Sequence, residues 1–207
     1  MPRIEQIEWA GRIIAAVWLC WVVVWVIAGL KTKAVVHRES VASRSTYILL
    51  LLISVLLLLA ARRSPVGVAL RGLGPAGAWL YVRFIRLYIG AVWIGAPLVL
   101  VGVLIAIWAR VHLGGNWSGM ITLKQHHELV RTGPYRFVRH PIYTGMLLAV
   151  AGTALAIGQL RGALAFALTL YALWRKSRTE ERLMTDTFGE TYRRYCREVR
   201  ALIPYLL

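Results

Sequence analysis

Cysteine and acidic residues are scarce in this chain of 207 residues, which holds two Cys and nine Asp or Glu. Cys20 lies in an apolar stretch and Cys196 in a charged one, so the sequence predicts no disulfide framework and no thiolate metal site. The histidines His126, His127 and His140 have no cysteine or carboxylate at ligand spacing, and we expect no metal there.

The shortage of acid leaves a net charge of +16. A nucleic-acid partner is not expected, because the basic residues flank apolar runs and form no compact recognition domain. Anionic lipid headgroups explain the charge more simply, and nothing in the sequence indicates an obligate protein partner. We expect no cleavable signal peptide, since the first apolar run is too long for one and no small-residue cleavage site follows it.

Long apolar runs dominate the chain, and 58% of its residues are hydrophobic. Runs that are long enough to cross a bilayer, alone or with their flanks, are typical of membrane-spanning helices. We therefore predict an all-α, polytopic, integral membrane protein with about five transmembrane helices. The five runs are Ile13–Leu30, Tyr47–Ala61, Leu87–Ala109, Pro141–Leu160 and Ala163–Trp174.

The segments between the runs carry most of the polar residues. Arg62–Arg86 holds five arginines and ends in a stretch that favours an interfacial amphipathic helix or an extension of the next span. Val111–Arg139 is a polar, glycine-containing loop, too long for a plain connector, and therefore expected to be functional. Five spans put this loop and the C-terminal tail on one side, and the excess of Lys and Arg there indicates the cytoplasm.

The tail is expected to form an amphipathic helix between Gly189 and Pro204. Three small residues predict close helix packing after Pro141: Gly145, Ala149 and Gly152.

Five short motifs follow one another in the C-terminal half. They are His127-Glu128-Leu129-Val130, Gly133-Pro134-Tyr135-Arg136, Arg139-His140-Pro141-Ile142-Tyr143-Thr144-Gly145, Glu180-Glu181 and Phe188-Gly189-Glu190-Thr191-Tyr192. In this order and spacing, the chain resembles the isoprenylcysteine carboxyl methyltransferase family and its prokaryotic relatives, which are similar to phospholipid N-methyltransferases. The resemblance covers about residues 114–204.

The resemblance implies a cofactor, S-adenosylmethionine (SAM), bound on the cytoplasmic side by residues 111–207, after an N-terminal membrane region, residues 1–110, with three spans. The chemistry is compatible, because aromatic rings suit a sulfonium cation and carboxylates suit an ammonium group. The residues that the resemblance assigns to the cofactor are His127, Glu128, Leu129, Val130, Gly133, Tyr135, Arg139, His140, Pro141, Ile142, Tyr143 and Glu180.

The resemblance also implies methyl transfer to a lipophilic acceptor that enters from the bilayer, with a lipid-modified cysteine carboxylate as first candidate. Arg178 and Glu181 are predicted to orient this acceptor, since with Arg175 they recur every three residues along one helix. An arginine of the family falls at Lys176 when it is counted back from Glu180 without gaps.

Three other functions stay open. One is phospholipid N-methylation. A second is an NADPH-dependent sterol-type membrane reductase, a class that is similar around Arg139-His140-Pro141 but usually has Asn where this chain has Ile142. The third is a membrane scaffold without catalytic activity, whose basic tail docks on anionic lipid.

Overall fold

A computed structural model describes residues 3–29, 35–38, 41–85, 88–117, 122–124 and 129–203. Two short strands among them, β1 (Val35–Arg38) and β2 (Thr122–Lys124), pair antiparallel. The prediction of an all-α fold is confirmed, with this small ribbon as the exception. The helices are α1 (Arg3–Gly29), α2 (Val41–Leu59), α3 (Pro65–Arg71), α4 (Pro75–Trp79), α5 (Tyr88–Leu113), α6 (Pro141–Ile157), α7 (Leu160–Phe188) and α8 (Glu190–Glu198).

Five of these helices are long, and each overlaps one of the five predicted apolar runs. By length and composition, Glu5–Gly29 in α1 and Gly90–Leu113 in α5 qualify as membrane spans. The apolar parts of α2 and α6, Ser43–Leu59 and Pro141–Ile157, are shorter. Helix α7 passes from an apolar start to a charged end without a break, as its sequence predicts.

Helices α5 and α6 touch through their backbones at glycines. A Cβ atom on Gly145 would lie 2.4 Å from the carbonyl oxygen of Gly102, and one on Gly152 would lie 2.5 Å from that of Gly95. Ala149 between them is fully buried. The predicted small-residue face is confirmed, because these helices pack at a distance that only small residues permit.

Polar side chains form hydrogen bonds between two further pairs of apolar helices, α2 with α7 and α1 with α6. The Ser54 hydroxyl on α2 lies 2.6 Å from that of Thr169 on α7 and donates to the carbonyl of Ala165 at 2.8 Å. The indole of Trp18 on α1 donates to the Thr153 hydroxyl on α6 at 3.1 Å. Hydrogen bonds between apolar helices of this kind add specificity to the packing of small side chains.

The segment between α2 and α5 differs from the amphipathic helix or helix extension that its sequence predicts. It forms α3 and α4, each of which begins at a proline, and Gly74 between them has φ 71°. The chain after α4 then runs to the α6–α7 turn, where Arg83 bridges to Gln159. Backbone hydrogen bonds to that turn replace the helical ones, which is why the helix does not continue.

Two predicted boundaries are also wrong. Helix α5 runs to Leu113, so the loop begins later than predicted and the proposed division between residues 110 and 111 falls inside a helix. Helix α8 ends at Glu198, because Arg200 pairs with Val138 in a parallel bridge. Pro204, the expected end, lies outside the described residues. The same bridge brings the last residues of the loop and the tail together at one end of the bundle.

Replacing Arg161 with methionine is expected to destabilise the opposite end of the bundle. Arg161 is buried at the start of α7, where its Nη1 donates to the carbonyls of Leu57 at 2.7 Å and Leu58 at 3.0 Å. These are carbonyls of the last turn of α2, and without the arginine they stay buried and unsatisfied. We expect a loss of about 2–3 kcal/mol.

The melting temperature of the detergent-solubilised protein measures this loss. Arg63→Met is the matched control, since Arg63 is exposed and its replacement should change stability by less than about 0.5 kcal/mol. Equal melting temperatures for the two variants would contradict the anchoring role.

Candidate active site

The turn that leads into α6 is built around a glycine and a buried tyrosine. Gly133 has φ 59°, and a Cβ atom there would lie 2.7 Å from the ring of His112, so both conformation and space require glycine. Tyr135 is buried, and its hydroxyl donates to the carbonyl of Ala109 at 3.4 Å. Its own carbonyl accepts from the Tyr195 hydroxyl at 2.5 Å. Tyr135 is therefore held between α5 and α8.

Two consecutive glutamates of α7 meet the start of α6. Glu181 accepts hydrogen bonds from Nη2 of Arg139 at 2.6 Å and from its Nε at 2.9 Å. His140 lies between the two carboxylates, with Nε2 3.2 Å from Glu181 and Nδ1 3.5 Å from Glu180. The Tyr143 hydroxyl donates to Glu180 at 2.5 Å, and its ring lies parallel to that of His140 at 5.3 Å. We call these five residues the charged cluster.

Burial opposes charge throughout the charged cluster, but the pairing outweighs it. Burial alone would lower the pKa of His140, yet its hydrogen bonds to the two carboxylates raise that pKa above its usual 6.5. Burial alone would raise the pKa of Glu180 and of Glu181, yet His140, Lys176 and Arg139 hold both below the usual 4.5. Both glutamates are therefore ionised at neutral pH.

Lys176, the position at which an arginine of the family falls, also lies at this site, although no role was predicted for it. Its side chain is 9% exposed, and its Nζ lies 4.0 Å from Glu180. The same ammonium lies 5.2 Å from the ring centre of Tyr47 and 5.3 Å from that of Tyr143. A carboxylate and two aromatic faces thus surround one cation. The four-residue spacing from Glu180 was a signal for Lys176, whereas nothing in the sequence indicated Tyr47.

The C-terminal tail fastens the charged cluster from outside. Nη1 of Arg139 donates to the carbonyls of Cys196 and Val199, and the backbone N–H of Arg139 donates to Arg200 at 2.8 Å. The hydroxyl of Thr144 donates to the carbonyl of Leu202 at 2.6 Å. Arg139 therefore joins the loop, α7 and the tail, which is a positioning role beside the cofactor role predicted for it.

The other predicted cofactor residues are spread around this centre. Pro141 is fully buried as the first residue of α6, and Ile142 beside it is half-buried. Leu129 and Val130 are half-buried in the stretch before the Gly133 turn. The two residues that precede them in the motif, His127 and Glu128, lie outside the described residues.

Arg178 and Glu181 make different contacts in the structure. Glu181 belongs to the charged cluster, whereas Arg178 is exposed and lines a different surface with Arg175 and Arg182. Positions three apart on an α-helix differ by about 60° in direction, and positions six apart by about 120°. Repeated steps of three therefore drift around the helix, and here they drift from one surface to another.

Known proteins match the part of the chain that holds this site. The family model described as phospholipid methyltransferase matches residues 91–191. The chain is 33% identical over 101 residues to protein-S-isoprenylcysteine O-methyltransferase of Schizosaccharomyces pombe, covering 47% of this chain and 43% of the relative. It is 28% identical over 115 residues to protein-S-isoprenylcysteine O-methyltransferase B of Arabidopsis thaliana, covering 54% and 58%. It is 40% identical over 72 residues to methanethiol S-methyltransferase 1 of Bradyrhizobium diazoefficiens, covering 34% and 24%.

Over residues 91–191, which include most of the charged cluster's surroundings, the chain is similar to the phospholipid methyltransferases. The matches to two protein-S-isoprenylcysteine O-methyltransferases confirm the resemblance to that family drawn from the motifs. The chain spans about half the length of the curated relatives that it matches, from 43% of one to 58% of the other.

Proposed function

We propose that this protein transfers a methyl group from SAM to a lipophilic acceptor at the membrane surface. The observation that carries the proposal is the charged cluster, with two ionised carboxylates beside the stacked rings of His140 and Tyr143. A cofactor with an ammonium group and a sulfonium cation suits such a surface of carboxylates and aromatic faces. The names of the relatives support methyl transfer.

The residues predicted from the motifs would hold the cofactor between the Gly133 turn and α7. Glu180 would pair with an ammonium group, while Tyr143 would present its ring to a cation. His140 and Arg139 would complement a carboxylate, and Leu129 with Val130 would provide an apolar wall. When bound, SAM supplies a methyl group that is activated by its sulfonium. Glu181 would act indirectly, because it holds Arg139 and His140 in place.

The proposed reaction requires no general acid or base from the protein. A carboxylate acceptor is already ionised near neutral pH, so it needs no general base. What the protein contributes is in-line positioning and the exclusion of water. We propose a carboxylate of the isoprenylcysteine type as the acceptor, following the relatives in S. pombe and A. thaliana.

A thiol acceptor is the second candidate, because the methanethiol relative has 40% identity over its matched stretch. The family model's description keeps phospholipid amine acceptors open as well. The buried Lys176 favours the carboxylate, since its ammonium would attract an anionic acceptor more strongly than a neutral one.

The proposed reaction takes place in an integral membrane protein with five spans formed by α1, α2, α5, α6 and α7. The loop before α6 and the C-terminal tail meet at one end of this bundle. We propose that this end faces the cytoplasm, because most Lys and Arg of the connecting segments lie there. SAM would then enter from the cytoplasm, and the acceptor from the bilayer.

Calorimetry on the full chain in detergent tests the cofactor. We expect SAM and its demethylated product to bind at least about tenfold more tightly than NADPH, the cofactor of the reductase alternative. His140→Ala should weaken SAM binding about tenfold, because it removes a charged hydrogen-bonding group from the charged cluster. A melting curve for the variant separates lost binding from lost folding. Preference for NADPH, or unchanged SAM affinity in a folded His140→Ala protein, would overturn the proposal.

A further inference from the structure

Three arginines of α7 line a cleft on the side of the helix that the charged cluster does not use. The cleft measures about 410 Å³ and lies between α7 and the first turn of α2. Ser43 lines it from α2. Its residues from α7 are Trp174, Arg175, Arg178, Thr179 and Arg182.

No carboxylate neutralises these arginines among the residues that the structure describes. The guanidinium groups of Arg175, Arg178 and Arg182 form no ion pair within the described ranges, and the first turn of α2 contains no acid. The glutamates of this part of α7, Glu180 and Glu181, turn towards the charged cluster. Three like charges around one cleft repel each other unless an anion lies between them.

Aromatic residues set the level of this cleft relative to the membrane. Trp174 lines it, and the rings of Trp174 and Tyr171 lie 6.1 Å apart with about half of each side chain exposed. Trp and Tyr prefer the level of the lipid headgroups. Away from the cleft, both helices present exposed apolar side chains such as Leu164 and Leu170 on α7 and Ile48 on α2. In a bilayer the arginines would then lie at headgroup level, above surfaces that suit acyl chains.

We infer that this cleft binds the phosphate of an anionic phospholipid. A phosphodiester offers two oxygens to the planar fork of a guanidinium, and three such forks would hold it from several sides. A lipid with a neutral headgroup alcohol, such as phosphatidylglycerol, fits this cleft better than phosphatidylcholine, because choline would bring a fourth cation. Membrane embedding is the only part of the proposed function on which this inference rests.

The inference gives Arg178 a role other than the acceptor orientation that its sequence predicts. Arg178 and Glu181 belong to different surfaces of α7, so the phosphate cleft and the charged cluster are separate sites. A lipid held in the cleft would fasten the emerging part of α7 to the membrane surface, while the opposite side of the same helix carries Glu180.

Native mass spectrometry of the full chain in detergent tests the inference, with dioleoyl-phosphatidylglycerol and dioleoyl-phosphatidylcholine as probes. We expect the first to bind at least about fivefold more tightly, and R178Q/R182Q to lose this preference. R193Q/R194Q is the matched control, since it removes the same charge from exposed positions of α8 and should change lipid binding less than about twofold. Melting curves establish that all proteins are folded.

Four results would overturn the inference. Equal losses of affinity for phosphatidylglycerol in the two double variants would indicate binding by general surface charge. No loss of affinity in either variant would mean that the cleft does not bind the lipid. Displacement of phosphatidylglycerol by equimolar inorganic phosphate would indicate a site for free phosphate instead of lipid. If R178Q/R182Q bound lipid as the wild type does but had a raised KM for the methyl acceptor, Arg178 would instead orient the acceptor. The readout is lipid binding, so it succeeds or fails independently of SAM binding.

Discussion

Replacing Gly145 with leucine is expected to force α5 and α6 apart and to cost about 3 kcal/mol of unfolding free energy. A Cβ atom at this position would lie 2.4 Å from the carbonyl oxygen of Gly102 and 2.7 Å from the backbone nitrogen of Ala106. Backbone atoms cannot rotate away as the end of a side chain can, so the helices themselves must separate. Each ångström of separation would also weaken the dispersion contacts around the buried Val99.

Gly90→Leu is the matched control, because among the described residues no atom outside its own stretch of α5 lies within 4 Å of the Cβ position at Gly90. That variant should be as stable as the wild type or slightly more so, since leucine is the better helix former. The melting temperatures of both variants in detergent give the comparison. Gly145 lies one turn beyond Pro141, so Gly145→Leu should also weaken SAM binding, and Gly90→Leu should not. Similar melting of the two variants would refute the close contact.

The motifs predicted the centre of the candidate site because its residues are close in sequence or one helix apart. Arg139, His140 and Tyr143 lie within five positions of each other. Glu180 and Glu181 lie on α7, the next helix in the chain. The structure brings these residues together, as the motifs implied. The prediction came from the family resemblance of the motifs, because the period of a single helix does not fix contacts between α6 and α7.

Lys176 and Tyr47 show what the motifs could not supply. Tyr47 is buried and lies 5.2 Å from the Lys176 ammonium, yet the two residues are separated by most of the chain. Their contact depends on the pairing of α2 with α7 through Ser54 and Thr169. A single sequence contains no periodicity that reports which of five apolar helices will be neighbours.

The boundaries of the elements were missed for a different reason. Sequence alone indicates where a helix is favourable, but the backbone hydrogen bonds of a neighbouring segment decide where it ends. Helix α8 stops at Glu198 because the next residues pair with Val138 and Arg139. The chain after α4 is extended because it pairs with the turn at Gln159. Neither partner lies near in sequence, so neither could be read from local propensity.

Replacing Glu181 with alanine is expected to cost about 3 kcal/mol of stability and to weaken SAM binding about ten- to a hundredfold. The Arg139 side chain is only 10% exposed. In the variant its guanidinium loses its carboxylate partner and keeps only hydrogen bonds to backbone carbonyls. Removing one partner of a buried pair costs more than the pair itself contributes, because the remaining charge is uncompensated. His140 loses one of its two carboxylates in the same step, so the proposed cofactor surface changes shape and charge.

Glu198→Ala is the matched control for this variant. Glu198 pairs with Arg131 at 2.6 Å, but these side chains are 51% and 37% exposed, so their pair should contribute only about 0–1 kcal/mol. SAM titration and melting of both variants measure the two effects. If Glu181→Ala resembled Glu198→Ala in both, the charged cluster would be an ordinary solvated surface and the proposed cofactor site would have to lie elsewhere.

The loss of stability in Glu181→Ala should depend on pH in a way that identifies the charged cluster as its cause. The pKa of Glu181 is lowered, so its contribution is complete above about pH 4.5 and is lost as the pH falls through the lowered value. The pKa of His140 is raised, so its contribution is complete below about pH 6.5 and is lost as the pH rises through the raised value. The difference in stability between wild type and Glu181→Ala should therefore be largest between about pH 4.5 and 6.5 and smaller on both sides. Above that window it should not vanish, because the ion pair with Arg139 persists after His140 loses its proton. A difference that stayed level up to about pH 9 would mean that His140 takes no part in holding Glu181.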